Sequence, residues 1–339
     1  MPNMKGLQTV IFSLLLSFIW SGCTIPPIHN PGPPNPTPIE KLKQTEFVAT
    51  LENHIAEHKN IIYCPTLLFA WDIVKQNNIT LSDSVSRDFK LLNQSSTYRN
   101  SLNDDEKLTE ADFSGEEVTI KSFFNKDVPF PGKLQKFDSG MFFNNQKVSA
   151  FGVNGFDKFI TTFTQIAFYR DDNNFIIKIT SKDTTSEILL IKGLENVQTL
   201  NDAVEQTKSL IKAGDKDVAA KNSWKHRFMM DDSLCIPMIK FNIEKHYNGI
   251  ERQTFLLGGK EKIIQEAYQK IAFSLDENGV YVESNAEIEI ASAYSIAISQ
   301  KPHPKHLKFD KPFYIIVEHL NRDPYFVMKV DNLELLEKL

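Results

Sequence analysis

The residues best spaced for chemistry are His54-Ile55-Ala56-Glu57-His58. On a helix this spacing sets two imidazoles one turn apart beside a carboxylate, the arrangement by which one class of peptidases holds zinc and activates water. The competing reading is a solvated helix end, because Ile55 faces the core of the same helix, Lys59-Asn60 follow at once, and no third ligand is marked downstream. Histidines there would also suit the negative end of the helix dipole. Gly258-Gly259-Lys260 lacks the remaining residues of a phosphate loop and reads as a turn. Cys64 follows an apolar run, which suits a structural thiol better than a nucleophile, and no Gly-x-Ser-x-Gly elbow occurs. His303 and His306, in a proline-broken stretch, read as part of an exposed link.

A second kind of chemistry lies between Val280 and Ile290. The even positions Val280, Val282, Ser284, Ala286, Ile288 and Ile290 are apolar or small, and the odd positions Tyr281, Glu283, Asn285, Glu287 and Glu289 are mostly polar. That period of two describes a strand, hinged at Gly279 after the acidic Asp276-Glu277. Its bland reading is a half-buried strand that never moves.

The elements around these residues are predicted as follows. Leu42 to His58 reads as an amphipathic helix burying Phe47, Val48, Leu51 and Ile55. Asn60 to Tyr63 is a short buried strand, and Pro65 opens a helix reaching about Gln76. Asn77 to Glu116 reads as loops with short helices. Strands follow at Val118–Phe124, Lys136–Phe143, Thr164–Tyr169, Phe175–Thr180 and Glu187–Ile191, then a helix from Leu200 to Ala213 that closes at Gly214. Strands at Cys235–Ile243 and Ala267–Leu275 lead to the hinge. Phe313–Val317 and Tyr325–Val330 form a buried terminal hairpin around a polar turn at Leu320–Pro324.

Before this domain, Lys5, the apolar run Val10–Trp20 and Ser21-Gly22-Cys23 read as an export signal over 1–22, with Cys23 the lipid-modified residue of a bacterial lipoprotein. Seven prolines between Ile25 and Ile39 make residues 23–39 an extended tether, leaving 40–339 as the folded domain on the cell envelope. A hydrophobic content of 41% with 25 Phe supports a large core, and a net charge of −5 without a basic run argues against nucleic acid. Cys64 and Cys235 read as buried free thiols.

The carboxyl-terminal order of parts resembles that of the serpins. Asp276, Glu277 and Gly279 match the hinge, Asp310, Lys311, Pro312, Phe313, Phe326 and Val330 the closing hairpin, Asn60–Pro65 the early strand into a helix, and Cys235–Phe241 an inner strand. The resemblance implies an α+β fold with large mixed sheets, helices packed on them, an exposed loop and no enzymatic activity or cofactor. It implies that Glu277, Gly279, Val280, Val282, Ser284 and Ala286 form the hinge of a loop cut near Ala293-Tyr294 by an elastase-like serine protease or a cysteine protease. The cut loop would then enter the sheet of a monomeric inhibitor as an added strand. Only about fifty residues separate Pro65 from Val118, where the family fits several helices, so a non-inhibitory binder of a protein or small molecule on the same scaffold is the alternative. A zinc peptidase using His54, Glu57 and His58 is the third reading.

Overall fold

The computed structural model describes residues 35–124, 126, 128–219, 223–280 and 303–339. In chain order the first elements are β1 Thr37–Pro38, β2 Thr45–Val48, β3 Asn60–Tyr63, α1 Thr66–Lys75, β4 Ile79–Leu81, α2 Arg87–Gln94, β5 Leu108–Asp112, β6 Glu117–Phe124 and β7 Val128–Pro129. Then follow β8 Gln135–Phe143, β9 Gln146–Asn154, β10 Thr164–Asp171, β11 Asn174–Thr180, β12 Ser186–Lys192, α3 Leu200–Ala219, β13 Ser233–Pro237 and β14 Ile239–His246. The last are β15 Thr254–Leu257, β16 Lys260–Asp276, β17 Gly279–Val280, β18 His306–Lys308, β19 Phe313–His319 and β20 Pro324–Val330.

Among the described residues these strands make three sheets of nine, seven and four strands. The largest is organised on β16, whose 17 residues bury alternate side chains, among them Ala267, Gln269, Ile271, Phe273 and Leu275. On one side β14 runs antiparallel to it from Ile239↔Leu275 to His246↔Tyr268; on the other β6 runs parallel from Glu117↔Ile263 to Phe124↔Ile271. A parallel neighbour cannot come from a tight hairpin, and here β8 to β13, which belong to the second and third sheets, lie in the chain between the two strands. This is the α+β layout, with large mixed sheets and few helices, that the serpin resemblance implies.

The second sheet, in the order β10-β11-β12-β19-β20-β3-β2, carries the terminal hairpin in its interior. Every residue of β12 and β19 is buried, and their apolar stretches Ile188–Ile191 and Phe313–Val317 run without alternation. The two sheets meet through aromatic rings: Phe273 of β16 stacks on Phe326 of β20 with centroids 4.2 Å apart, and Phe241 of β14 lies 5.5 Å from Phe273. The third sheet, β18-β13-β9-β8, adjoins the strand ends where β17 lies.

Several expectations are corrected. The predicted helix over Leu42–His58 is instead β2 followed by turns, with β2 paired parallel to β3. Phe47, Val48, Leu51 and Ile55 are all buried, so their helical spacing reported burial and not a helix. Strand pairing with β3 satisfies the backbone of Thr45–Val48, and a Phe-Val pair suits that setting. Helix α3 runs through Gly214 to Ala219 and does not stop there. A Cβ at Gly214 would lie 2.1 Å from the carbonyl oxygen of Ala167, so this glycine allows the helix to approach β10. Strand β9 is not among the predicted strands, because six consecutive buried residues from Val148 to Val153 hide any alternation. The proline-rich segment joins the fold before residue 40: Thr37 and Pro38 pair with Ile243 and Glu244 at the sheet edge, where a proline costs no ladder bond.

Replacing Gly214 by Ala would gain about 1 kcal/mol in an open helix. Here we expect a loss of about 1–3 kcal/mol in urea unfolding, because the helix must move off β10. The carboxyl of Glu318, facing Glu187 across β19 and β12, is pushed up to about 7 by burial and by that neighbour's charge. A raised carboxyl pKa stabilises the fold while the group is protonated, fully below its ordinary value of 4.5, and this is lost as pH rises through about 7. Stability should fall by about 3 kcal/mol across that interval, and Glu318→Gln should flatten the slope. A wild-type stability independent of pH between those values would contradict this.

Candidate functional site

The site forms where β16 ends. Asp276 Oδ1 accepts from the backbone N–H of Asn278 at 2.7 Å and from its side-chain amide at 3.1 Å, which turns the chain back on itself. Strand β17 then pairs on both sides: Val280 with Leu275 and Gly279 with Asp276 of β16, and Gly279 with Pro129 and Val280 with Val128 of β7. The turn is tied to the far side as well. Phe130 N–H donates to the carbonyl of Asn278 at 2.9 Å, and Leu134 N–H to that of Glu277 at 2.8 Å.

Gly279 has φ +131°, and a Cβ there would lie 2.7 Å from both the Phe130 nitrogen and the Val128 oxygen. No other residue fits without displacing backbone. Val280 is buried, and Glu277, also buried, pairs with Lys133 at 3.2 Å. Burial, then the Glu277 charge, raises the Asp276 carboxyl above its usual range. From Glu117 to Phe124 β6 lies directly against β16, and beyond that point the two chains part, with β17 filling the fork.

Under the directly paired stretch lies a buried polar cluster that pattern reading passed over. Gln269 on β16 donates to the Cys64 carbonyl at 3.0 Å and to Thr66 Oγ1 at 2.7 Å, and accepts from the Tyr247 hydroxyl at 2.7 Å. Ser122 of β6 faces Gln269 in register, with its buried hydroxyl lacking a hydrogen-bond partner. The available signal was one polar residue at an inward position between Ala267 and Ile271. The cluster joins β16 to the start of α1, so its bonds must be remade whenever the strand shifts.

The described chain resumes at His303, and Lys305 is not the exposed link expected there. Its side chain and that of Asp232 are both 0% exposed and 2.6 Å apart. Lys305 N–H also donates to Asp232 Oδ1 at 2.8 Å, and its ammonium to the Trp224 carbonyl at 3.2 Å. Sequence patterning cannot find such a pair, because a lysine beside two prolines gives no periodic sign of burial. Breaking it from one side would leave a buried charge uncompensated.

The other chemical readings do not assemble. His54 to His58 is not helical: His54 bridges to Thr199 and His58 has φ +57°, so the zinc spacing is lost. Among the described residues no three His, Cys, Asp or Glu side chains converge to hold a metal. Cys64 and Cys235 are both unpaired, the first buried and the second only partly so. Burial pushes the Cys64 thiol up to about 12 and that of Cys235 to about 11, which leaves them protonated and poor nucleophiles. Ser186, His319 and Glu106 line up at 3.3 and 2.9 Å in the manner of a hydrolase triad. Ser186, however, is 1% exposed and lies opposite His319 in the sheet, so no substrate reaches it. Of the predicted hinge, Glu277, Gly279 and Val280 meet at the fork; Val282, Ser284, Ala286, Ala293 and Tyr294, like Cys23, lie outside the described residues.

The class defined by this arrangement is a mixed-sheet α+β protein with a forked central strand pair. No family model matches the chain, and no curated protein matches it by sequence. Among solved structures it is similar to Serpin48 of the insect Tenebrio molitor, described as a highly specific serpin, at 15% identity and TM-score 0.33 over 64% of this chain and 56% of that one. It is similar to human thyroxine-binding globulin complexed with thyroxine, at 12% and 0.39 over 65% and 58%. The mouse protein-Z dependent protease inhibitor gives 16% and 0.37 over 64% and 55%. The chain thus spans just over half the length of these proteins, and likenesses at such scores carry no argument about activity.

Because the Gly279 Cβ would strike three backbone atoms, Gly279→Ala should cost about 1–3 kcal/mol in urea unfolding and strip hydrogen-exchange protection from the Phe130 amide. Unchanged protection at Phe130 would mean that the fork tolerates a side chain.

Proposed function

We propose that this is a serpin-like protein, not an enzyme, that inhibits a protease by offering residues 281–302 as bait. The protease's nucleophile attacks the carbonyl of Ala293, or of a neighbouring residue, and Tyr294 leaves as a free amine. The residues following Val280 then enter between β6 and β16 as an added strand before water resolves the acyl-enzyme. The observation that carries this reading is β17, whose two residues already pair with β16 on one side and β7 on the other. The small or apolar side chains of Val282, Ser284 and Ala286 fall on the face that would enter the core. Lengthening β17 needs only that the β6 and β16 ladder open from the fork onward.

That ladder also motivates the second reading, a binder on the same scaffold without inhibition. The direct pairing from Glu117 to Phe124, with the Gln269 cluster beneath it, must break before insertion can proceed. Valines at 280 and 282 are stiffer than short residues and would slow entry. In either reading we place the protein on a bacterial cell envelope, exported and lipid-anchored at Cys23, with a monomeric domain carried on residues 23–36.

Incubation with elastase-like and trypsin-like serine proteases decides between them. A covalent complex that survives denaturant with the elastase-like enzyme, together with a marked rise in melting temperature after cleavage, is the expected result. Cleavage without trapping and without that rise would leave only the binding reading.

A further inference from the structure

Next to the fork, the turn after β9 and the segment leading into β13 leave large apolar side chains partly open to solvent. Phe156 and Phe159 are each 46% exposed, and Met230 is 72% exposed. They belong to one surface: the Gly155 N–H donates to the Asp232 carbonyl at 2.9 Å, and a Cβ on Gly155 would lie 3.1 Å from the Met230 carbonyl oxygen. Beside them opens a recess of about 390 Å³, floored by Leu134, Val153 and Ile160, with Lys133, Asn154 and Asp157 around it.

The surface is held rigid. Asp157 Oδ1 accepts from the N–H groups of Phe159 at 2.8 Å and Ile160 at 3.1 Å, and the Phe159 ring packs on Phe163 with centroids 5.6 Å apart. Gly132 leaves room for that ring, since a Cβ there would lie 2.1 Å from Phe159 Cε1. A preorganised aromatic rim beside a recess is the composition of an interface hot spot.

Its position says what would occupy it. On one side Leu134 N–H donates to Glu277 at 2.8 Å, two residues before Gly279. On the other, Asp232, which receives Lys305, follows Met230 by two residues. The chain therefore leaves the described fold at Val280 and re-enters it at His303 close to this surface.

We infer that Phe156, Phe159, Met230 and the adjoining recess form a second contact for the protease that 281–302 receives, taking an apolar side chain from a surface loop of that enzyme. The inference rests on the bait reading but not on trapping, since contact at this surface raises the rate of the first cut whatever becomes of the acyl-enzyme.

The test compares cleavage rates within 281–302 for the full chain, for Phe156→Ser with Met230→Ser, and for Asn154→Trp, which fills the recess from an exposed position. An isolated peptide of residues 281–302 serves as reference, and melting temperatures confirm that both variants fold. Cleavage by an elastase-like protease should slow about tenfold in each variant, toward the peptide's rate. Rates within about twofold of wild type with elastase-like, trypsin-like and papain-like proteases alike would overturn the inference, even if a trapped complex forms. A concentration-dependent dimer abolished by Asn154→Trp would also overturn it, by assigning the surface to a second copy of the chain. Slowed cleavage without a trapped complex would sustain the inference while removing the inhibitor reading.

Discussion

The constraint on which the structure depends is that a buried sheet leaves no backbone edge unpaired. From Ile263 to Ile271 the edge of β16 is met by β6; beyond Ile271, among the described residues, β6 has parted from it and the two residues of β17 pair with both banks of the fork. Everything at the site follows from this. Gly279 must be glycine because three backbone atoms of the 128–130 stretch crowd its missing Cβ, and Asn278 and Glu277 must lend their carbonyls to Phe130 and Leu134. A strand that starts in such a fork has its next pairing positions laid out ahead of it, provided the ladder parts.

Polar groups sealed near that ladder set what parting would cost. Gln269 binds β16 to the end of β3 and the start of α1, while the second bank is held at Lys126, which pairs with Glu106 beside His319. A buried network of this kind is strong when complete and costly when half broken. The Lys305 and Asp232 pair does the same for the far root of 281–302, so both ends of that segment are fixed in the fold by buried polar contacts.

Much of this was legible in the chain. The strand read at Ala267–Leu275 falls within β16 but starts seven residues late, whereas the glycine after an acidic pair and the two apolar runs around Leu320–Pro324 located the turn and the terminal hairpin to within a few residues. The period of two over Val280–Ile290 lies, beyond Val280, outside the described residues. The early strand and α1 were legible because Pro65 marks a helix start without needing periodicity. What failed did so where tertiary pairing overrode local pattern. Phe47, Val48, Leu51 and Ile55 repeat at helical spacing, yet the first two sit on a strand, Leu51 in a turn and Ile55 in irregular chain after the His54 bridge, and the pairing with β3 is what makes the strand. Gly214 reads as a helix stop unless the approach of β10 is known. Gln269, Lys305 and Asp232 are polar residues whose burial depends on partners distant in sequence, so no window centred on them reveals it.

The central claim is that β6 and β16 separate to admit a strand. Lys121 and Glu266 lie across that junction with their charged groups 2.8 Å apart and are partly exposed, so spin labels at these positions report the gap directly. The label-to-label distance should lengthen by about 4.8 Å, one strand spacing, after cleavage within 281–302. An unchanged distance in the cleaved protein would contradict the account.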